Sequence, residues 1–437
     1  MIGGEQEVYF HSVKLHEDRC KGCTNCIKRC PTEAIRVRQG KAIIDDARCV
    51  DCGECIRACP NRAKSVVTDS RAELARRKHN VCLVAPSFFG QFRSEVALGQ
   101  VLASIKSLGF SHVLEVAQAA DVVAEAIARY LQSGSVRFPA LSTSCPAVVR
   151  LVQVRFPDLI DHFVPFDAPM EVAAYIARDQ IRQETGCCDE DIGVFFTTPC
   201  PAKMTAVHQP VGQGFSQVTG ALSMAEVYAD VFKRLTTVTS EEPVYGSARG
   251  LTWAVSGGEG VAIAKDGYLA VDGLQHVTSI LEQVELGRLR SVKYIEGQAC
   301  VGGCVGGVLV VENPFIARVR VARLAQRLNR ADSPLLSVPA SALALRQTLT
   351  PRPFLQLDAN IEAALKKLND LEILVGQLPM LDCGACGAPH CRALAEDIVR
   401  GTASLSDCVF VLRQQVNSLA GELMDLAGKL PPAMGRS

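Results

Sequence analysis

Two cysteines in a glycine-rich stretch are the residues around which the chemistry of this chain is organised. The stretch runs from Glu296 to Gly307 (EGQACVGGCVGG) and holds Cys300 and Cys304. Glycine adopts positive φ and lets the backbone approach a bulky inorganic group, and its N–H groups can point at sulfides or anionic ligands. Two thiolates in such a loop predict a buried metal cluster, and the alternative is a glycine-rich turn with two buried thiols.

Composition limits the class of protein. The chain has 437 residues, 46 basic against 46 acidic side chains and 48% hydrophobic residues, so it can bury large cores and shows no charge excess for binding nucleic acid. Met1 to Lys14 lacks the apolar segment of a signal peptide, and no apolar run reaches the roughly 18 residues of a membrane span. With 19 cysteines in clusters, we expect a cytoplasmic, metal-binding protein rather than a disulfide-bonded one.

A repeated cysteine motif lies near the beginning of the chain. Both copies read C-x2-C-x2-C-x3-C-P, which resembles the bacterial two-cluster ferredoxins, where the fourth cysteine of each run ligates the other cluster. A zinc site would instead use two pairs of ligands. We therefore predict two electron-transferring [4Fe-4S] clusters. The first would use Cys20, Cys23, Cys26 and Cys59, and the second Cys49, Cys52, Cys55 and Cys30.

Buried strands alternating with amphipathic helices follow this motif. Val81 to Phe89 is a continuous apolar strand, a helical pattern covers Ser94 to Leu108, and His112 to Val116 with the helix from Ala119 to Leu131 repeats the unit. This alternation predicts an α/β domain with a mainly parallel sheet. Further predicted strands are Gly193 to Thr197 and Gly307 to Val311, and further helices are Met170 to Gln183 and Met224 to Arg234.

Three cysteine-bearing loops interrupt the α/β pattern. They are TSCP with Cys145, TPCPAK with Cys200 and Lys203, and the glycine-rich loop with Cys300 and Cys304. Side chains from separate loops can converge on one site. Four thiolates from these three loops would then make one further [4Fe-4S] site.

The three loops, in this order and approximate spacing, resemble the signature loops of [FeFe]-hydrogenases, whose catalytic domain has two lobes around its cluster. The resemblance implies that Cys145, Cys200, Cys300 and Cys304 hold a [4Fe-4S] cube. Cys304 would also bridge to a diiron unit with CO, cyanide and dithiolate ligands, which together with the cube forms the H-cluster. It further implies that Lys203 donates to one cyanide, as suits a charged donor. The segment Ala85, Pro86 and Ser87 would line the other cyanide.

Departures from the family pattern concern the handling of protons. Catalytic members have a proton-relaying cysteine where this chain has Ser144, and a hydroxyl is a much weaker acid than a thiol. Thr198 and Gln298 each replace a methionine beside the cofactor, and the glutamate that usually follows Lys203 is missing. These features resemble the sensory branch of the family, so we predict slow cleavage of H2 with Ser144, Lys203 and Cys304 at the reacting site.

A second group of four cysteines lies near the end of the chain: Cys383, Cys386, Cys391 and Cys408. It resembles the small [4Fe-4S] domain of Rnf-complex B subunits and corrinoid iron–sulfur proteins, with zinc as the alternative. A heptad seam follows, formed by Leu412, Val416, Leu419, Leu423, Leu426 and Leu430, and Pro431 and Pro432 end it. The seam predicts either a homodimer through this helix or a helix docked on its own domain.

These motifs divide the chain into modules. The expected fold is a hydrogenase-like α/β core with an α+β ferredoxin domain before it and a small helical iron–sulfur domain after it. The expected limits are a tail (1–14), a ferredoxin-like domain (15–68), a linker (69–80), the hydrogenase-like domain (81–345), a connector (346–375), the four-cysteine domain (376–410) and a C-terminal helix with its tail (411–437).

The sequence thus predicts a hydrogenase of low turnover that binds H2 at a diiron site. Electrons would pass through four [4Fe-4S] clusters to a signalling or redox partner such as a kinase, a phosphatase or an electron carrier. Two alternatives stay open. One is a catalytic hydrogenase subunit of an electron-transfer complex, and the other is an electron-transfer or assembly protein without the diiron unit. Lys203 argues against the second, because a bare cube has no cyanide to accept its hydrogen bond.

Overall fold

A computed structural model describes residues 9–134, 136–264, 266–328, 336–352, 357–358 and 360–429. The described chain forms two compact units. The core unit comprises residues 9–14, 49–57 and 64–352, and the second unit comprises 15–48, 58–63 and 357–429. Among the described helices, none has both the length and the hydropathy needed to cross a lipid bilayer.

The strands are short and are spread through the first three quarters of the chain. They are β1 (Val13–Leu15), β2 (Ile35–Arg38), β3 (Lys41–Ile44), β4 (Lys64–Val66), β5 (His79–Val84), β6 (His112–Glu115), β7 (Ala140–Leu141), β8 (Ile192–Thr198), β9 (Gly220–Ser223), β10 (Tyr268–Asp272) and β11 (Tyr294–Gln298).

Helices occur in both units. They are α1 (Asn25–Arg29), α2 (Glu54–Arg57), α3 (Pro86–Phe89), α4 (Leu98–Lys106), α5 (Val116–Leu131), α6 (Pro146–Arg155), α7 (Pro169–Thr185), α8 (Pro201–His208), α9 (Met224–Arg234), α10 (Ala248–Thr252), α11 (Gly258–Ile263), α12 (Leu274–Glu285), α13 (Pro314–Arg327), α14 (Ala340–Leu343), α15 (Ile361–Gln377), α16 (Cys391–Val399) and α17 (Val409–Gly428).

Two parallel sheets organise the core unit. The larger has the strand order β6-β5-β8-β9, and the smaller has the order β10-β11-β7. Strand β8 is buried along its whole length because strands and helices cover it on all sides, as is usual for parallel sheets. The predicted α/β fold with a parallel sheet is therefore confirmed, with two such sheets in the core unit.

Two predicted strands differ from the structure. The strand predicted from Val81 to Phe89 ends at Val84, and Pro86 begins helix α3. Proline suits the first helical position and biases the residue before it toward extended backbone, so Ala85 forms a sharp strand-to-helix turn. The strand predicted from Gly307 to Val311 is wrong. This segment is irregular, and its Leu309 N–H donates to the loop carbonyl of Pro199 at 2.9 Å.

The second unit contains the β2–β3 hairpin and the helices α15, α16 and α17. A small apolar core joins α15 and α16 around Leu371, Leu394 and Cys391. Helix α17 buries only Val411. The predicted heptad residues from Leu412 to Leu426 are 44% to 66% exposed, so the seam is not docked on the described part of its own chain. Leu430, Pro431 and Pro432 lie outside the described residues.

Candidate metal centre

The predicted cluster residues of the core unit all follow the carboxyl ends of parallel strands. Ala85 follows β5, Ser144 follows β7, Cys200 follows β8 and Cys300 follows β11. Ligand sites of parallel sheets lie at this edge. The fold therefore brings together loops that are up to about 200 residues apart in the sequence.

Two of the cysteines are placed at helix N-termini. Cys145 precedes Pro146 of α6, and Cys200 precedes Pro201 of α8, each with extended backbone. The positive end of a helix dipole stabilises a thiolate. Burial acts in the opposite direction and raises the pKa of Cys200 to about 11, while Lys203 partly offsets it. Both cysteines are half-buried, and Lys203 places positive charge beside them.

Lys203 reaches the centre of the four cysteines. Its Nζ lies 3.6 Å from Cys304 Sγ and donates to the carbonyl oxygen of Ser144 at 3.4 Å. Burial would lower the pKa of Lys203, but the charges of Cys304, Cys200 and the two other thiolates outweigh burial, so the pKa lies above its usual range. The ammonium group therefore stays charged in a site that favours anions.

One cavity joins all the residues predicted for the core cofactor. Its volume is about 890 Å³ including the space at its mouth, and its walls are mostly apolar. The predicted residues that line it are Ala85, Pro86, Ser87, Ser144, Cys145, Cys200, Lys203, Gln298, Cys300 and Cys304. The structure brings these side chains together, and their individual roles stay predictions.

Unpartnered polar atoms in the cavity test whether the cofactor fits. Ser87 Oγ, Gln298 Oε1 and Trp253 Nε1 are buried and have no hydrogen-bond partner among the residues that the structure describes. A buried polar group without a partner is costly. Two of these atoms are donors that an anionic group in the cavity would satisfy. The cavity thus fits an iron–sulfur cube with an anionic, multiply liganded metal unit, and Trp253 is part of its wall.

A buried carboxylate at the cavity wall was missed by sequence reasoning. Glu259 Oε1 accepts hydrogen bonds from Ser142 Oγ at 2.6 Å, Ser144 Oγ at 3.1 Å and Tyr294 OH at 2.5 Å. Glu259 is 1% exposed, and burial raises the pKa of its carboxyl group. Ser144 is therefore not an isolated hydroxyl, because it is hydrogen-bonded to a carboxyl group whose pKa lies above its usual range.

A second buried carboxylate lies behind the first. Glu296 accepts the backbone N–H groups of Gly257 at 3.0 Å and Gly260 at 2.8 Å, at the beginning of α11. Burial raises its pKa to about 8, and the charge of Glu259 adds to the shift. Glu296 opens the glycine-rich stretch in the sequence. The glycine pattern assigns a role only to the neighbours of Glu296, because it does not reveal the strand that buries the Glu296 side chain.

Part of the ferredoxin-like segment belongs to the core unit. Residues 49–57 carry Cys49, Cys52 and Cys55, and Cys52 lines the same cavity as the core cysteines. Arg57 Nη2 donates to the carbonyl oxygen of Gly306 at 2.7 Å. Three predicted ligands of the second ferredoxin cluster therefore belong to the core unit, and one of them, Cys52, lies beside the loops of the core site. Cys30, the fourth, lies in the second unit.

In the second unit, backbone N–H groups donate to predicted ligand sulfurs. Cys20 Sγ accepts from Ala42 at 3.4 Å and Cys59 Sγ from Ala63 at 3.3 Å. Such hydrogen bonds stabilise thiolate ligands and tune cluster potentials. The four predicted ligands of the first ferredoxin cluster, Cys20, Cys23, Cys26 and Cys59, are all in this unit.

The C-terminal cysteines also lie in the second unit. Cys391 and Cys408 are buried in its apolar core, with Cys386 packed against them. Burial raises the pKa of Cys386, and the charges of Cys383 and Cys408 raise it further. Cys383 is exposed. The arrangement suits a cluster near the surface.

Replacing one core cysteine tests the four-cysteine site. We expect Cys145→Ala to lower the iron content of the anaerobically reconstituted protein by about four atoms per chain, since a [4Fe-4S] cube needs its thiolates. Cys82→Ala is the matched control, because Cys82 is fully buried in β5, away from the loops. Iron and acid-labile sulfide analysis measures both variants. Unchanged iron in the Cys145 variant would contradict the assignment.

Family models match three regions of the chain. Residues 78–264 match the iron only hydrogenase large subunit, C-terminal domain. Residues 12–60 match a 4Fe-4S dicluster domain, and residues 378–410 match a family named for an Fe-S cluster. Iron–sulfur clusters and a hydrogenase domain of the kind that holds an H-cluster are thereby supported.

Two known hydrogenase subunits are similar to the chain over about two thirds of its length. The chain is 25% identical over 362 residues to the periplasmic [Fe] hydrogenase large subunit of Nitratidesulfovibrio vulgaris, covering 68% of this chain and 86% of that one. It is 22% identical over 350 residues to the NADP-reducing hydrogenase subunit HndD of Solidesulfovibrio fructosivorans, covering 68% of this chain and 56% of that one.

A solved structure shows the fold. A glutamate variant of the [FeFe]-hydrogenase HydA1 from Chlamydomonas reinhardtii superposes with a TM-score of 0.50 at 15% identity, over 64% of this chain and 98% of that one. The core unit thus has the α/β fold of [FeFe]-hydrogenase domains. The chain is thus similar to [FeFe]-hydrogenases in its central region, and regions that match iron–sulfur domains lie on both sides of that region.

Proposed function

We propose that this protein is a sensory [FeFe]-hydrogenase, which binds H2, cleaves it slowly and passes the electrons to a signalling partner. The observation that carries the proposal is the core cavity. Its wall combines four cysteines, the charged Lys203 and unpartnered polar atoms of Ser87 and Trp253. A bare [4Fe-4S] cube would leave these donors unused, which disfavours a protein without the diiron unit.

The chain would hold the cofactor and keep water out. Cys145, Cys200, Cys300 and Cys304 would be the iron ligands, and Lys203 would hold the anionic diatomic ligands by its charge. When bound, the diiron unit supplies the site for heterolytic cleavage of H2. The mostly apolar walls of the cavity strengthen the electrostatic contacts within it.

Ser144 and Glu259 would move protons. The Ser144 hydroxyl lines the cavity and donates to Glu259, so a proton released in the cavity can pass to this carboxylate. The raised pKa of Glu259 brings its protonation closer to neutral pH, which favours both uptake and release. A serine remains a poorer acid than cysteine, and this supports slow turnover. The hydrogen bond between Ser144 and Glu259 also supports the alternative, a competent catalytic subunit. A high rate of H2 turnover would favour that alternative.

Helix α17 would join two copies of the chain. Its heptad positions alternate Leu412, Leu419 and Leu426 with Val416 and Leu423. Val416 is β-branched and leucine fills the alternate position, a combination that favours two-stranded coiled coils, whereas Leu423 lacks this branch. A helix this exposed gains little stability alone.

We further propose the cytoplasm as the compartment, because a reducing environment suits clustered cysteines. The periplasmic relative makes cell fractionation the necessary check.

Infrared spectroscopy tests for the diiron unit. After anaerobic maturation we expect absorption by metal-bound CO and cyanide, and these bands should shift when H2 is admitted. The Lys203→Met variant should show shifted or missing cyanide bands, because the charged donor is lost. If properly matured protein shows no such bands, the hydrogenase proposal is wrong and a multi-cluster electron carrier remains.

Glu259→Gln tests the proton route. We expect H2 turnover to fall by about 10²- to 10⁴-fold, because the amide cannot take up a proton, while the infrared bands stay as in the parent protein. Glu171→Gln is the matched control. Glu171 is also buried and accepts from Ser216 Oγ at 2.6 Å, but it does not line the core cavity. Ser144→Cys should raise turnover. Equal losses in the two glutamine variants would argue against the route.

Leu419→Glu tests the coiled coil. Leu419 lies at the middle of the seam and is 58% exposed. We expect sedimentation velocity to show a dimer for the parent chain and a monomer for Leu419→Glu, since a charge in the seam opposes pairing. Gln414→Glu changes the charge on the opposite face and should leave the dimer intact. A parent chain that is monomeric at micromolar concentration would refute this proposal.

A further inference from the structure

The loop of the C-terminal cysteines is attached to the ferredoxin-like segment within the second unit. Lys28 lies in α1, two residues from Cys26 and two from Cys30. Its Nζ donates to the carbonyl oxygen of Asp382 and, at 2.6 Å, to that of Pro389. One side chain next to ferredoxin ligands therefore contacts the backbone next to both Cys383 and Cys391.

Strand β2 forms a second attachment. The Val37 N–H donates to the carbonyl oxygen of Gly387 at 2.8 Å, and Arg38 Nη1 donates to that of Cys386 at 2.9 Å. Gly387 has φ of +81°, and a Cβ there would lie 1.9 Å from the Val37 oxygen. The approach of the two backbones thus requires glycine, so the contact is closely fitted.

Buried ion pairs fix the two parts further. Arg36 Nε and Arg38 Nη2 contact Asp397 Oδ2 at 2.7 Å and 2.5 Å, and the Asp397 side chain is only 8% exposed. Arg48 pairs with Glu396, which is next to Asp397 on helix α16. Buried carboxylates need such partners. Three arginines of the ferredoxin-like segment therefore form ion pairs with the helix that begins at Cys391.

The far side of the C-terminal loop is open to a partner. Cys383 is exposed, and its neighbours Met380 and Leu381 are 52% and 58% exposed. Cys408 directly precedes the exposed helix α17. Apolar side chains around an exposed cluster ligand suit brief docking of another redox protein.

We infer that the C-terminal four-cysteine site is the electron outlet of this protein, and that Lys28, β2 and the arginines hold it beside the first ferredoxin cluster, whose predicted ligands lie in the same unit. The direction of flow rests on the proposed function. Oxidation of one H2 yields two protons and two electrons. The acceptor is a protein with a one-electron centre, which is reduced by one electron at a time at the face of Met380, Leu381 and Cys383.

Electron paramagnetic resonance tests the attachment without H2. Protein reconstituted with its [4Fe-4S] clusters and reduced by dithionite should show magnetic coupling between the C-terminal cluster and the first ferredoxin cluster. Gly387→Ala should lose this coupling at unchanged iron content, because its Cβ clashes with the Val37 oxygen. Gly401→Ala is the matched control, since Gly401 also has positive φ but meets nothing within 4 Å. Lys28→Met, a milder change, should weaken the coupling.

A second measurement tests the outlet. Dithionite-reduced protein, freed of excess reductant, is mixed with oxidised cytochrome c as the one-electron acceptor. Cys386→Ala and Gly387→Ala should lose the fast phase of reduction, and Gly401→Ala should keep it. Absent coupling in the parent protein, or an unchanged fast phase in Cys386→Ala, would overturn the inference. Neither readout needs the diiron unit, so failure here is distinct from failure of the hydrogenase proposal.

Discussion

A buried ammonium group among four cysteine sulfurs is the interaction on which the core unit depends. Lys203 loses hydration when it is buried, and only the thiolates around it keep its charge favourable. The thiols in turn resist ionisation because burial raises the pKa of Cys200 and Cys304. Each charge is stable only in the presence of the other. Metal binding, which requires thiolates, is therefore coupled to the correct placement of the lysine.

A second set of buried ionisable groups lies near Lys203 and the four cysteines. Glu259 and Glu296 are carboxyl groups with few charged partners, and hydroxyls and backbone N–H groups satisfy them instead. Burial raises the pKa of both groups, and the hydrogen bonds from these neutral donors offset only part of that shift. The chain thus keeps an acid near the cavity without the cysteine and glutamate pattern of catalytic relatives.

Local sequence patterns were sufficient to predict most of the fold. Continuous apolar runs predicted β5, β6 and β8, and helix α9 has the predicted limits of Met224 to Arg234. The order and spacing of the three cysteine-bearing loops predicted which loops converge. The failures have a common cause. Val308 to Val311 are apolar enough for a strand, but their N–H groups bond to loop atoms that only the folded chain supplies. Glu259 could not be found for the same reason, since its partners come from two other segments.

The division of the ferredoxin-like segment between two compact units limits how the protein can be taken apart. Residues 49–57 belong to the core unit, where Gly53 lies against Val308 and Pro201. A shortened chain that begins after residue 69 would uncover these apolar side chains and the Gly306 carbonyl that Arg57 occupies. The hydrogenase-like region is therefore incomplete without part of the segment before it. Exchange of ferredoxin domains between relatives would have to preserve this nine-residue insert.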